Sequence, residues 1–128
     1  MSVRIVRLGS PRSPREGTRI GTVRRPPRGV PKAHFASGNW YDAWFPALAP
    51  SEAAVKLGRG AKTDADWRRF AKRYRAEMKQ PEASQAIGVL AALSHRANFS
   101  VGCYCEDAAR CHRSLLKELL LERGADVA

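Results

Sequence analysis

The chain has 128 residues, 44% of them hydrophobic, which is typical of one globular domain and excludes a largely disordered protein. Lys and Arg number 23 against 12 Asp and Glu, so the net charge is +11. Such a charge favours an anionic partner, which could be a nucleotide, DNA or RNA.

The three cysteines are odd in number and lie together at positions 103, 105 and 111. This pattern differs from the even, spread cysteines of secreted disulfide scaffolds. No stretch is apolar for long enough to form a signal peptide or a membrane span. We therefore expect a cytoplasmic protein with reduced thiols and no membrane contact.

The first third of the chain is predicted to hold two strands and a long basic loop. Residues 3–9 alternate apolar and basic side chains, as a strand does. Residues 10–32 are rich in Pro, Gly and Arg, which excludes a long helix but allows a short strand within 18–24. Residues 1–35 contain nine Arg and Lys and one acid, so 9 − 1 = +8 of the charge lies there.

The middle of the chain is predicted to be helical. We expect a short helix in the aromatic segment 39–45 and another over 51–58, capped by Ser51 and stopped by Gly58. Residues 63–80 form the clearest helix, because apolar side chains recur there at spacings of three and four.

The last third predicts a βαβ unit. Pro81 opens a helix, residues 98–105 form a strand, and residues 111–124 form a final helix, followed by a short strand at 125–128. Helix, strand and helix in this order imply a parallel sheet. The fold class is therefore α/β: one three-layer domain with a small, mostly parallel sheet and helices packed on it. Residues 1–35 form its basic strand and loop, and residues 36–128 the remainder.

The segment Gly102–Gly124 allows four interpretations. In the first, its cysteines are ordinary core residues. In the second, Arg110, His112 and Arg113 bind an anion at the start of the final helix. Alternatively, Cys105 is a reactive thiol five residues before Arg110. A zinc site is the fourth interpretation.

The spacing of the possible zinc ligands speaks against that fourth interpretation. Cys111 and His112 are adjacent, and Cys103 and Cys105 lack the usual two-residue spacer. We therefore expect neither a metal site nor a cofactor.

Three motifs together resemble the bacterial domain of unknown function 488 family, whose compact members are called YeaO-like. The first is Cys-His-Arg-Ser at 111–114, with the leucine-rich helix that follows it. The second is "RRPPRGVPK" at 24–32, and the third is "WFPALAPS" at 44–51 followed by "DWRRFAKRYRAEM" at 66–78. The resemblance implies a single α/β domain and supports the shared residues as a set, without supplying a reaction.

These features combine into one hypothesis, an anion-binding cleft between the Arg-Gly loop (residues 24–32) and the Cys-His-Arg turn (residues 111–113). His112 is the candidate general acid or base, because imidazole changes charge near neutral pH, and Cys105 is a second catalytic candidate. The expected cationic contacts are Arg24, Arg28, Lys32, Arg110 and Arg113, and the expected stacking or wall residues are Trp40, Tyr41 and Trp44.

Two other functional classes stay open at this point. The protein is a non-catalytic nucleic-acid-binding module, or it is a partner-binding or regulatory protein that uses the aromatic segment around Trp44. Paired carboxylates, phosphate-loop glycines and a Ser-His-Asp order are missing from the sequence, which argues against common hydrolase and triphosphatase chemistries.

Overall fold

A computed structural model describes residues 1–105 and 111–128. Its centre is a four-stranded sheet in the order β1-β4-β2-β3, in which every pairing is parallel. The strands are β1 (Val3–Arg7), β2 (Thr18–Gly21), β3 (Ala43–Trp44) and β4 (Phe99–Cys103). The α/β class and the parallel sheet predicted from the sequence are confirmed.

In the part of the chain that the structure describes, four α-helices accompany the sheet: α1 (Glu52–Arg59), α2 (Asp64–Glu77), α3 (Pro81–Leu93) and α4 (His112–Glu122). The predicted caps are present, since the Ser51 and Thr63 side chains accept from the backbone N–H groups of Ala54 and Asp66 at 3.2 and 3.1 Å. Pro81 stands in the first turn of α3, where its missing N–H costs nothing.

The helices bury their apolar sides on one face of the sheet. Val3 pairs with Phe99 and Ile5 with Val101, so strand residues of the same parity share that face. They join one apolar core with residues of all four helices, including Ala54, Phe70, Tyr74, Ile87, Leu116 and Leu120. Burial of this set is the main stabilisation of the domain.

Loops rather than helices cover the opposite face of the sheet. Gly21 faces the Tyr41 ring so closely that an added Cβ would lie 2.3 Å from a ring carbon. On the same face, the Ser100 hydroxyl of β4 donates to Glu16 at 2.7 Å. The third layer of the expected three-layer arrangement is therefore irregular backbone.

The prediction of a helix over residues 39–45 is wrong. Asn39 has φ of 63°, which a right-handed helix cannot contain, and Ala43–Trp44 forms the edge strand β3. A 3₁₀ helix at Pro46–Leu48 follows. Pairing of β3 with β2 decides the conformation of this segment, and the local spacing of its aromatic residues could not reveal that pairing.

The predicted C-terminal strand is reduced to a single parallel bridge between Val127 and Val3. It is held by hydrogen bonds from Val3 N to Asp126 O and from Ala128 N to Val3 O, both 2.9 Å long. Within residues 1–105 and 111–128, none of the helices has the length and apolar character needed to cross a bilayer.

Candidate functional site

A cleft of about 1300 Å³ opens at the carboxyl-terminal edge of the sheet. Arg7 at the end of β1, Val23 just after β2 and Cys103 at the end of β4 line it, together with His112 at the start of α4. In open parallel sheets, ligands bind at this edge because the loops and helix N-termini converge there. The cleft is therefore the leading candidate site.

Cationic side chains dominate the described lining of the cleft. One acid, Glu52, faces six basic residues, which are Arg7, Arg24, Arg25, Arg28, Lys56 and Arg59. The basic segment 1–35 supplies the first four, and α1 supplies the last two. A cationic recess concentrates anions, because the low-dielectric protein around it reduces the screening of its electric field by water.

The cations differ in how firmly the structure holds them. Arg24 is anchored, because its guanidinium donates to the carbonyls of Pro50 and Ala49 at 3.1 and 3.2 Å. Arg25 makes an exposed pair with Glu52 at 2.5 Å, which contributes little because water screens it. Arg24 is therefore held in a fixed position at the cleft, whereas a bound anion can compete with Glu52 for Arg25.

Trp40 and Tyr104 form an aromatic wall of the cleft. Their ring centroids are 5.9 Å apart in an edge-to-face arrangement, and both residues line the cavity. The Tyr104 hydroxyl donates to Arg25 O at 2.9 Å, which ties this wall to the Arg-Gly loop. Burial, and the neighbouring Tyr41, raise the pKa of the Tyr104 hydroxyl well above its usual value.

The other two predicted aromatic contacts lie elsewhere. Tyr41 is 3% exposed and packs on β2 behind the cleft, so it supports the wall without lining it. Trp44 is 45% exposed and donates its indole N–H to Val23 O at 2.7 Å. Of the three aromatics expected from the sequence, the structure brings Trp40 to the cleft.

His112 forms the floor of the cleft and is 6% exposed. Its Nε2 lies 2.7 Å from Thr22 O, and a carbonyl can only accept, so Nε2 carries the proton. Nδ1 is left as the acceptor, 3.8 Å from the sulfur of Cys111. The ring also packs on Tyr74, with centroids 5.5 Å apart.

Burial lowers the pKa of His112 to about 4, and the charge of Arg113 lowers it as well, although the Thr22 hydrogen bond acts in the opposite direction. His112 is thus neutral at physiological pH. The sequence-based premise that its charge changes near neutrality does not hold in this environment. A catalytic role for His112 stays a prediction, with the neutral imidazole as its working form.

The three cysteines divide into a buried pair and an exposed residue. The sulfur atoms of Cys103 and Cys111 lie in direct contact, and these residues are 1% and 2% exposed. Cys105 is exposed at the cleft. The sequence carried no signal that Cys103 and Cys111, eight residues apart, would meet. Their contact depends on where β4 and α4 lie in the fold.

The other three predicted cations, Lys32, Arg113 and Arg110, are not among the described residues that line the cleft. Lys32 lies in a 3₁₀ helix, Lys32–His34, outside the described lining. Arg113 is 5% exposed and is likewise outside that lining. Arg110 lies outside the residues that the structure describes.

Sequence reasoning missed several lining residues: Arg7, Arg25, Lys56, Arg59 and Tyr104. Arg7 and Tyr104 carried one usable signal, since each lies near the carboxyl end of a predicted strand, and that end should reach the site. Lys56 and Arg59 carried none, because their helix reaches the cleft only through tertiary packing.

Comparison with known families adds to this geometry. Residues 3–124 match the family model DUF488-N3a, described as the active DUF488-N3 subclade. The chain belongs to the DUF488 family. The matched range includes all four strands of this DUF488 domain and the described lining of the cleft. Neither the curated proteins nor the solved structures include a significant match.

Proposed function

We propose that this DUF488 protein binds, and acts on, a phosphate-bearing ligand in the cleft, either a nucleotide or a segment of nucleic acid. The observation that carries the proposal is the lining itself, with six basic side chains facing one carboxylate at the carboxyl edge of a parallel sheet. Arginine forks suit phosphate oxygens because they donate in pairs.

The two walls suggest how such a ligand would lie. Arg24 and Arg28 on the Arg-Gly loop and Arg59 on α1 would bind phosphates. Trp40 on the aromatic wall would stack on a base, an interaction that every base can make through its flat face. A cleft of about 1300 Å³ is roomy enough for a nucleotide with space for a second reactant.

An enzymatic role is supported by the residues on the cleft floor. Cys105 is exposed there, within a strongly cationic lining, where its sulfur could reach a bound anionic ligand. His112 presents a neutral imidazole held by Thr22. The matching family model is described as an active subclade, in keeping with an enzyme. We also propose a cytoplasmic location, where clustered thiols remain reduced.

The test is ligand binding by calorimetry with a nucleoside triphosphate, a single-stranded oligonucleotide and inorganic phosphate. We expect Arg28→Ala/Arg59→Ala to weaken nucleotide binding at least about tenfold, because each lost charge-assisted hydrogen bond contributes about 1.5–3 kcal/mol. The matched control is Arg68→Ala/Lys72→Ala, which removes the same charge from the exposed side of α2. Equal weakening in both double variants would show only a general charge effect and would overturn the cleft.

Incubation of the same ligands followed by mass analysis of products separates an enzyme from a binding module. Product formation that is lost in Cys105→Ser, with binding retained, supports an enzyme. Binding without any product, with affinity that falls steeply as salt rises, identifies the non-catalytic nucleic-acid-binding module instead.

A further inference from the structure

Three potential metal ligands meet on the floor of the cleft, although they come from two separate elements. Cys103 ends β4, and Cys111 and His112 begin α4. Their sulfur atoms and a ring nitrogen of His112 all lie within 4.8 Å of one another. The backbone thus converges two thiols and an imidazole on one point, at the place where β4 and α4 border the cleft.

The hydrogen bonding of His112 prepares it to be a ligand. Nε2–H donates to Thr22 O at 2.7 Å, so the lone pair is on Nδ1, and Nδ1 lies on the side of the Cys111 sulfur. Metal-binding histidines almost always donate their other ring N–H to a carbonyl or carboxylate in this way, which fixes the tautomer and the ring plane. Thr22 thus supplies the outer contact that a metal-bound imidazole requires.

The backbone spacing of the two cysteines suits a shared ion better than a covalent bond. Their Cα atoms are 7.9 Å apart. Disulfides usually join Cα atoms about 4.4–6.8 Å apart, and wider pairs need backbone movement. Two thiolate sulfurs that each lie about 2.3 Å from one tetrahedral zinc ion are about 3.8 Å apart. A Cα–Cα distance of 7.9 Å accommodates that sulfur separation once the two side chains rotate.

We propose that Cys103, Cys111 and His112 Nδ1 bind one zinc ion as a three-ligand site whose fourth position opens into the cleft. All three residues line the cleft but are no more than 6% exposed, so the fourth position faces the cleft and admits a ligand as small as water. Two thiolates and one neutral imidazole balance the charge of a divalent ion. Three protein ligands with an open fourth position are typical of zinc ions that take part in chemistry, whereas structural zinc has four protein ligands.

This site differs from the arrangement that the sequence spacing argued against. That argument concerned Cys103 with Cys105, which lack a two-residue spacer, and the adjacent Cys111 and His112. The fold pairs Cys103 with Cys111 instead and leaves Cys105 exposed at the cleft. The zinc site does not depend on the phosphate-bearing ligand proposed above, and either inference can fail alone.

The test is elemental analysis of the full-length protein purified under reducing conditions without chelator. We expect about one zinc ion per chain in the wild type and in Cys105→Ser, and less than about a tenth in Cys103→Ser and Cys111→Ser. Circular dichroism checks that the variants fold. His112→Asn should also lose zinc, since its amide nitrogen is not a zinc ligand.

Cobalt substitution provides a second measurement that does not rely on variants. Cobalt(II) added to the reduced, metal-depleted wild type should give a thiolate charge-transfer band and intense visible bands of tetrahedral coordination, and zinc should remove both. The proposal is overturned if reduced wild-type protein takes up neither ion. It is also overturned if zinc remains in Cys103→Ser and Cys111→Ser, or if thiol trapping from reducing conditions finds Cys103 and Cys111 joined as a disulfide.

Discussion

Arg19 and Glu16 form an ion pair in the interior of the protein, with relative exposures of 0% and 2%. Arg19 Nε and Nη2 donate to the two carboxylate oxygens at 2.6 and 2.9 Å. Nη1 of Arg19 donates to the carbonyls of Ser10 and Asn39 at 2.9 and 2.7 Å. One side chain thereby joins the loops that cover the back of the sheet, behind the cleft.

Removing Arg19 should destabilise the fold strongly. Arg19→Met leaves the Glu16 carboxylate buried without its partner, and loss of one member of a buried pair costs about 3–5 kcal/mol. Urea unfolding measures the change. Arg25→Ala, which breaks the exposed pair with Glu52, is the control and should cost less than about 1 kcal/mol. Similar losses in the two variants would contradict the structural role of the interior pair.

The Glu16 carboxylate should make stability depend on acid pH. Burial raises its pKa, but hydrogen bonds from Arg19 and Ser100 and the Arg19 charge outweigh burial, so the pKa lies below its usual 4.5. A folded-state pKa below the unfolded one means that the stabilisation is complete above about pH 4.5 and is lost as the pH falls further. Glu16→Gln should unfold more easily at pH 7 and show a flatter dependence of unfolding free energy between pH 5 and 3. An unchanged slope would show that Glu16 does not titrate as the structure implies.

A close backbone contact makes Gly17 irreplaceable. Gly17 has φ of +73°, and an added Cβ would lie 1.9 Å from the carbonyl oxygen of Asn98, just before β4. Gly124 has a similar φ of +82° but has nothing within 4 Å of the same position. Gly124→Ala should therefore cost only the backbone strain, about 1 kcal/mol. Gly17→Ala should cost several times more by thermal or urea unfolding, and equal costs would refute the contact.

Trp40 rather than Trp44 should report ligand binding. Trp40 lines the cleft, whereas the Trp44 indole is tied to Val23 O. Trp40→Ala should weaken nucleotide binding roughly 5- to 150-fold, because base stacking contributes about 1–3 kcal/mol. In wild-type protein the ligand should quench tryptophan fluorescence, and the quenching should survive in Trp44→Phe but vanish in Trp40→Phe. The reverse pattern would place the ligand at the edge strand instead.

The cysteines should differ widely in reactivity. Cys105 is exposed, whereas Cys103 and Cys111 are nearly inaccessible. Brief treatment of the native, reduced protein with iodoacetamide should therefore label Cys105 at least about tenfold faster than either of the others, since alkylation requires access to the thiolate. Peptide mass spectrometry gives the three rates. Rapid labelling of Cys111 under native conditions would contradict its burial.

Local patterns predicted much of this fold. Strands β1, β2 and β4 and helices α1 to α4 follow from periodicity, from the caps Ser51 and Thr63, and from Pro81, because these signals act within one or two turns of chain. The prediction of a helix over residues 39–45 is wrong for the same reason. Its edge strand exists only because β2 offers a free edge, and no residue within the segment specifies that pairing.

For the site, the sequence predicted several of the lining residues but not their geometry. Basic residues near the amino end, a Cys-His-Arg turn and aromatic residues indicated an anion site, and Trp40, Arg24, Arg28, Cys105 and His112 do line the cleft. Burial then decided what each residue can do. Arg19, counted from the sequence only among the nine basic residues of 1–35, forms an interior ion pair with Glu16, and His112 is a neutral, oriented imidazole.

The sequence by itself determined an α/β domain, a strongly basic amino end and the positions of most helices, because these depend on composition and on contacts between neighbouring residues. Only the tertiary structure decided which residues share the cleft and that Cys103 meets Cys111 and His112 at its floor. The physical reason is that a parallel sheet brings together strand ends far apart in the chain. That convergence depends on strand order, which no local pattern encodes.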